Sequence, residues 1–154
     1  MDYKEKAMAL FHEGYNCSQS VLLAFSDELG LDRVTAMKLS SSFGGGMGRL
    51  REVCGAVSGM FMVAGLKDGY DVPGDMEKKA AHYALIQHLA AEFKKENPSI
   101  ICRELLGLPD GADQPVPEAR TERYYKKRPC AELVGSAAEI TARELGFPLK
   151  KQAD

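Results

Sequence analysis

Apolar residues recur along this chain at intervals of three and four positions and almost nowhere at every second position, so the pattern predicts helices and leaves little for strands. Ala7, Met8, Leu10 and Phe11 share one side of a helix over residues 3–13, which Gly14 ends. Asn16 has the chemistry of an N-cap for a second helix, with Cys17, Val21, Ala24 and Phe25 on one stripe and Gly30 at its close. Asp32 is placed to start a short third helix carrying Val34, Met37 and Leu39. A glycine-rich turn (Gly44, Gly45, Gly46, Gly48) then leads into the most apolar part of the chain, read as a helix over residues 51–67. Asp75 caps the longest helix, to about residue 97, with Leu85, Ile86, Leu89, Ala90 and Phe93 on its inner stripe; Pro98 stops it. A short helix carries Cys102, Leu105 and Leu106, and residues 107–117 are the least regular stretch and the one expected to be most mobile. Pro129 opens the last helix, in which Cys130, Leu133, Val134, Ala137 and Ile140 share a stripe that ends at Gly146, before a polar tail over residues 150–154. The expectation is an all-α, single-domain bundle over residues 1–154, of six or seven helices around the central glycine-containing helix.

Two glycines inside that central helix, Gly55 and Gly59, lie four apart on one face, and each costs about 1 kcal/mol relative to alanine. Close approach of another backbone or of a bound group is the expected compensation, which marks both as cofactor-binding candidates. The same face is also open to a second copy of the chain, as a homodimer.

Composition narrows the function classes. With 154 residues the chain can bury a core without disulfide help, and its 27% charged residues nearly cancel to a net charge of −2. Neither a nucleic acid nor an anionic membrane is an expected partner. The apolar run over residues 53–66 is too short to span a bilayer, so no membrane insertion is expected. The first eleven residues alternate charges and lack the apolar core of a secretory signal, which points to the cytoplasm. Thiols are held reduced there, so four cysteines read as metal ligands or redox thiols rather than as a disulfide frame.

Those cysteines, Cys17, Cys54, Cys102 and Cys130, all fall near a predicted helix start. Helix N-termini carry unpaired N–H groups and partial positive charge, which favours thiolate. Four such ends brought together form an anion-stabilising pocket suited to an iron–sulfur centre. The competing reading is packing, because free cysteine is commonly a small buried hydrophobe. No C-x-x-C pair occurs, which weighs against a structural zinc site and against a thioredoxin-like one.

The arrangement of Cys17 in GYNCSQSV, then Cys54, Gly55, Ala56 and Gly59 in CGAVSG, then Cys102 and Cys130, resembles the C_GCAxxG_C_C family of redox-active proteins. The resemblance runs over nearly the whole chain, including the GGGMGR approach and the GLKDG exit. It implies a redox role inferred from the cysteines, with no assigned substrate. A similar four-cysteine module stands beside the haem domain of the split-Soret cytochromes as a two-iron cluster carrier; by that analogy the four cysteines would hold a [2Fe–2S] cluster. The chain has no C-x-x-C-H, so haem is not expected.

Three functions follow as expectations. The first is electron transfer to an unidentified redox protein partner, with Cys17, Cys54, Cys102 and Cys130 ligating an iron–sulfur cluster, or else zinc. The second is a metal-free thiol–disulfide switch. The third is a helical module that binds a small molecule or partner while its cysteines merely pack. Other motifs carry less. The glycine turn matches neither phosphate-loop pattern, and Arg49 and Arg51 beside it read as anion holders or as partners of acids such as Glu52. His82 reads as half-buried, His12 and His88 have no assigned role, and Tyr124 to Arg128 reads as a solvated basic patch.

Overall fold

The computed structural model describes residues 1–148, so the polar tail expected over 150–154 lies outside the described residues. Among the described residues the chain is all helical, with one isolated antiparallel bridge, Val53 to Ile101, and no sheet. The helices are α1 (Tyr3–His12), α2 (Cys17–Leu29), α3 (Arg33–Ser41), α4 (Gly44–Met47), α5 (Gly55–Asp68), α6 (Met76–Glu96), α7 (Cys102–Leu106), α8 (Glu122–Lys127) and α9 (Cys130–Leu145). Two of these go beyond the six or seven expected. One is α4, a single turn with left-handed backbone at Gly45 and Gly46. The other is α8, which Thr121 caps by accepting from the Tyr124 amide.

Local sequence explains most of the ends. Asn16 accepts from the Gln19 amide while the Gln19 side chain accepts from the Asn16 amide, a reciprocal cap that starts α2. Asp32 and Asp75 cap α3 and α6 with a single side-chain bond each, and Gly30 and Gly146 close α2 and α9 in left-handed conformation. α5 begins later than its composition suggests. Residues 51–53 stay outside the helix because the backbone here is engaged elsewhere: the Cys54 amide donates to the Ile100 carbonyl at 2.8 Å and the Cys102 amide to the Glu52 carbonyl at 2.6 Å. This short pairing sets the start of α5 beside the start of α7.

The core lies where α2 packs on α5 and α1 packs on α9, with α5 and α9 also in contact. Val21, Leu22, Phe25, Val57, Met60, Val134 and Ile140 are fully buried there. α6 lies along the outside of α5 and α9 and buries only Leu89 and Phe93 of its expected stripe, with Leu85 and Ile86 half-buried. The two α5 glycines admit α2. A Cβ on Gly59 would lie 2.9 Å from the Ser18 carbonyl oxygen and from the Val21 Cβ; one on Gly55 would lie 3.1 Å from the Cys17 Cβ. The close approach expected at this face is therefore made by the same chain. No helix among the described residues is long and apolar enough to cross a membrane.

Candidate functional site

Each cysteine stands at the beginning of a helix: Cys17, Cys102 and Cys130 are the first residues of α2, α7 and α9, and Cys54 is the N-cap of α5. Packing of those four ends around the glycine turn leaves a cavity of about 270 Å³ lined by all four cysteines. Cys54, Cys102 and Cys130 are 4%, 7% and 8% exposed, and Cys17 is half-buried. Gly55 also lines the cavity, whereas Gly59 lies one turn deeper, against α2. Gly46 packs the turn against α7, since a Cβ there would stand 2.6 Å from the Cys102 Cβ.

The sulfurs line one space without forming one ligand set. A tetrahedral thiolate site needs metal–sulfur distances near 2.3 Å, which brings its sulfurs to within about 4 Å of one another. Among the described residues, the one group of three or more ligating side chains whose ligand atoms all lie within 4.8 Å is His88, Glu92 and Glu144, with no cysteine in it. This corrects the expectation that Cys17, Cys54, Cys102 and Cys130 ligate an iron–sulfur cluster, zinc or another metal. The spacing of helix starts brought the cysteines to one cavity, but it carries no information on how far apart the sulfurs stand within it. The His88 group is itself a surface feature. His88 Nε2 is 3.3 Å from a Glu144 carboxylate oxygen, and Glu92 already meets Lys95 at 2.6 Å and Arg143 at 3.5 Å.

What the geometry brings together is a thiol pair. Cys17 and Cys130 influence each other across the cavity, and their acidities move apart. The neighbouring Cys17 thiol lowers the Cys130 pKa from 9.0 to about 7 against the cost of burial, with help from the Tyr124 hydroxyl and the Arg128 charge. The neighbouring Cys130, then burial, raises Cys17 well above the usual thiol value. The other two thiols stay protonated. Burial pushes Cys54 up to about 12 despite the nearby amides of Val57 and Ala56, and burial raises Cys102 despite the Arg51 guanidinium. Position at a helix start therefore does not by itself make a thiolate here: in three of the four, desolvation or the neighbouring thiol outweighs the helix end.

Charged residues expected at the surface instead enclose the site. Arg51 is buried, donates through Nη2 to Asp113 at 3.0 Å and reaches the Cys102 sulfur through Nη1 at 3.6 Å. Arg49 meets the same Asp113 at 3.1 Å, while Glu52, the acid expected to serve these arginines, pairs with Arg103. The irregular segment over residues 107–117 is anchored beside the cavity at Asp113, whose amide donates to the Arg49 carbonyl at 2.9 Å. Tyr124 and Arg128 face inward from what reads as a basic patch, and only Lys126 and Lys127 of that stretch are fully exposed. A Tyr–Arg spacing of four around one helical turn is the signal that would have placed them on one face.

The sequence matches the family described as "Putative redox-active protein (C_GCAxxG_C_C)" over residues 15–144. The chain belongs to this family. No curated protein and no solved structure matches it. The matched span begins two residues before Cys17 and ends one residue short of the end of α9, so it contains every cysteine.

Proposed function

We propose that this member of the family is a metal-free dithiol–disulfide redox protein, with Cys130 as the attacking thiolate and Cys17 as the resolving thiol. Their meeting in one cavity, with the Cys130 thiol acidified and the Cys17 thiol shifted the other way, is the observation that carries the reading. A thiolate whose pKa lies near ambient pH combines a high ionised fraction with good nucleophilicity. Cys130 attacks one sulfur of an oxidant disulfide, and Cys17 then attacks the Cys130 sulfur in the mixed disulfide. Two electrons leave the pair and the proton of Cys17 goes with the departing thiolate. Cys54 and Cys102 serve as buried walls of the cavity; Gly55 gives Cys17 its clearance, and Gly59 fixes the height of α2 on α5. The cytoplasm, where thiols are kept reduced, suits a resting state with both sulfurs as thiols. The redox partner on the reducing side is a protein or small thiol able to regenerate the pair.

Equilibration of the full chain in dithiothreitol redox buffers, with free thiols counted by alkylation and mass, tests this. Two of the four thiols should disappear in one two-electron transition. A chain that keeps four free thiols across the range would refute it.

A further inference from the structure

The cavity around the thiol pair carries an excess of fixed positive charge in a chain whose net charge is −2. Arg49, Arg51, Arg120 and Arg128 line it, and Glu118 is the one carboxylate among its lining residues. Glu118 is taken by Arg128 at 2.6 Å, and Asp113 is shared between Arg49 and Arg51. Among the described residues no carboxylate pairs with Arg120. Its guanidinium donates to the carbonyls of Phe11 and Tyr15, the latter at 2.8 Å, and lies 4.0 Å from the Phe11 ring centroid. Even with Cys130 ionised, one positive charge is left uncompensated.

Arg51 supplies the second observation. It is 6% exposed, and its Nε is buried without a hydrogen-bond partner although both terminal nitrogens are used. Buried donors are almost always satisfied, so one left over on a cavity wall marks a place for an acceptor. The backbone holds the arginines there under strain: Arg49 and Arg51 both have left-handed φ, at 67° and 60°, which non-glycine residues adopt rarely.

Size and access limit the ligand further. About 270 Å³ is at the small end of ligand pockets, which run from roughly 300 to 1,000 Å³. Cys130 is only 8% exposed at the wall of this small cavity, which favours a small disulfide over one embedded in another protein's surface. We propose that the oxidant of the Cys17–Cys130 pair is a small disulfide bearing carboxylate groups, held by Arg51 and Arg120 so that its sulfur–sulfur bond meets Cys130. This rests on the dithiol reading above. The step balances without another reactant. Cys130 attacks RS–SR, a Cys130–SR bond forms, and RS⁻ leaves with the bonding pair. Cys17 loses its proton to that thiolate and attacks Cys130, so that the protein disulfide forms and a second RS⁻ leaves. Two electrons pass from the cysteines to the small disulfide.

The test uses the reduced full chain and three small disulfides of differing charge: dithiodiglycolate (anionic), hydroxyethyl disulfide (neutral) and cystamine (cationic). The rate of Cys17–Cys130 disulfide formation is read by acid quench, alkylation and mass mapping, and each rate is divided by that of the same compound with a free cysteine peptide. Dithiodiglycolate should be at least about ten-fold faster than the neutral compound and cystamine slowest, with the spread shrinking as ionic strength rises. Equal normalised rates would overturn the anionic selectivity and leave the dithiol reading standing. Failure of all three to form the Cys17–Cys130 link would overturn that reading, and this inference with it. In folded Arg51→Gln protein the anionic-to-neutral ratio should fall, and an unchanged ratio would remove Arg51 from the site; should that variant not fold, the wild-type series decides alone.

Discussion

Cys17 and Cys130, the first residues of α2 and α9, line one cavity, and these two chemically identical side chains titrate in opposite directions. The pair is asymmetric because its surroundings are. Tyr124 and Arg128 stand on the Cys130 side, while Cys17 has around it the sulfurs of Cys54, Cys102 and Cys130, whose negative charge when ionised opposes its own ionisation.

Alkylation should reveal that asymmetry. The depressed Cys130 pKa means that its thiolate fraction grows as pH rises through about 7, where an ordinary cysteine is still protonated. Iodoacetamide labelling followed by peptide mass analysis should show Cys130 modified first, with a rate that half-saturates near pH 7. A Cys130 profile centred near 9, or one matching Cys54, would contradict the assignment.

Stability should fall in alkali for an identifiable reason. Cys54 has its pKa raised from 9.0 to about 12, and Tyr3 from 10.0 to about 12, in both cases chiefly by burial. A group with a raised folded pKa stabilises fully below its unfolded value and loses that contribution as pH climbs toward the folded one. Urea midpoints should therefore decline from pH 9 upward. Cys54→Ala should lessen the part of that decline that begins near pH 9, to which Cys17 and Cys102 also contribute, and Tyr3 and Tyr124, both raised by burial, should contribute to the part beginning near 10.

The α5 glycines should not be interchangeable. Gly59→Ala places a Cβ 2.9 Å from the Ser18 carbonyl and the Val21 Cβ, and Gly55→Ala places one 2.9 Å from the Phe43 carbonyl. Backbone neighbours cannot swing aside, so each should cost about 1–3 kcal/mol despite the gain in helix propensity. Gly65 sits in the same helix with nothing within 4 Å of the place a Cβ would take, and Gly65→Ala should stabilise by roughly 0.5–1 kcal/mol. Chemical denaturation of the three variants would show the opposite signs.

One carboxylate ties the segment over residues 107–117 to two arginines. Asp113 holds Arg49 and Arg51 together, and the Arg51 hydrogen bond is the main reason its own pKa is lowered. A depressed carboxyl pKa means that the clamp is complete above the ordinary aspartate range and is lost as pH falls through the folded value. Asp113→Asn at neutral pH should mimic that loss. Limited proteolysis within residues 107–117 should become faster, with far-UV circular dichroism unchanged.

Much of this fold was legible because helix ends are local. Asn16, Asp32 and Asp75 cap, and Gly30 and Gly146 close, through contacts spanning three or four residues, and the apolar stripes of α2 and α9 face the core as their spacing requires. The glycine pair in CGAVSG announced a close approach, and α2 makes it. What stayed hidden was long-range. The late start of α5 depends on pairing with residues 100–103, and the burial of Arg51 depends on Asp113 arriving from a loop that looks irregular in isolation. The metal expectation failed for a related reason. Four cysteines at helix starts define directions of approach, whereas ligation depends on sulfur separations that only the packed helices fix. Helix ends alone would acidify all four thiols, and in three of them desolvation or a neighbouring sulfur prevails.

The central claim is that Cys17 and Cys130 form the working pair. The most direct measurement is disulfide mapping: mild oxidation of the reduced full chain, rapid alkylation of the remaining thiols, and tandem mass spectrometry of the proteolytic peptides. A single internal link between the Cys17 and Cys130 peptides is predicted, reversible by dithiothreitol, with Cys54 and Cys102 recovered as alkylated thiols. A link that joins Cys54 to Cys102, or the absence of any internal link, would contradict it.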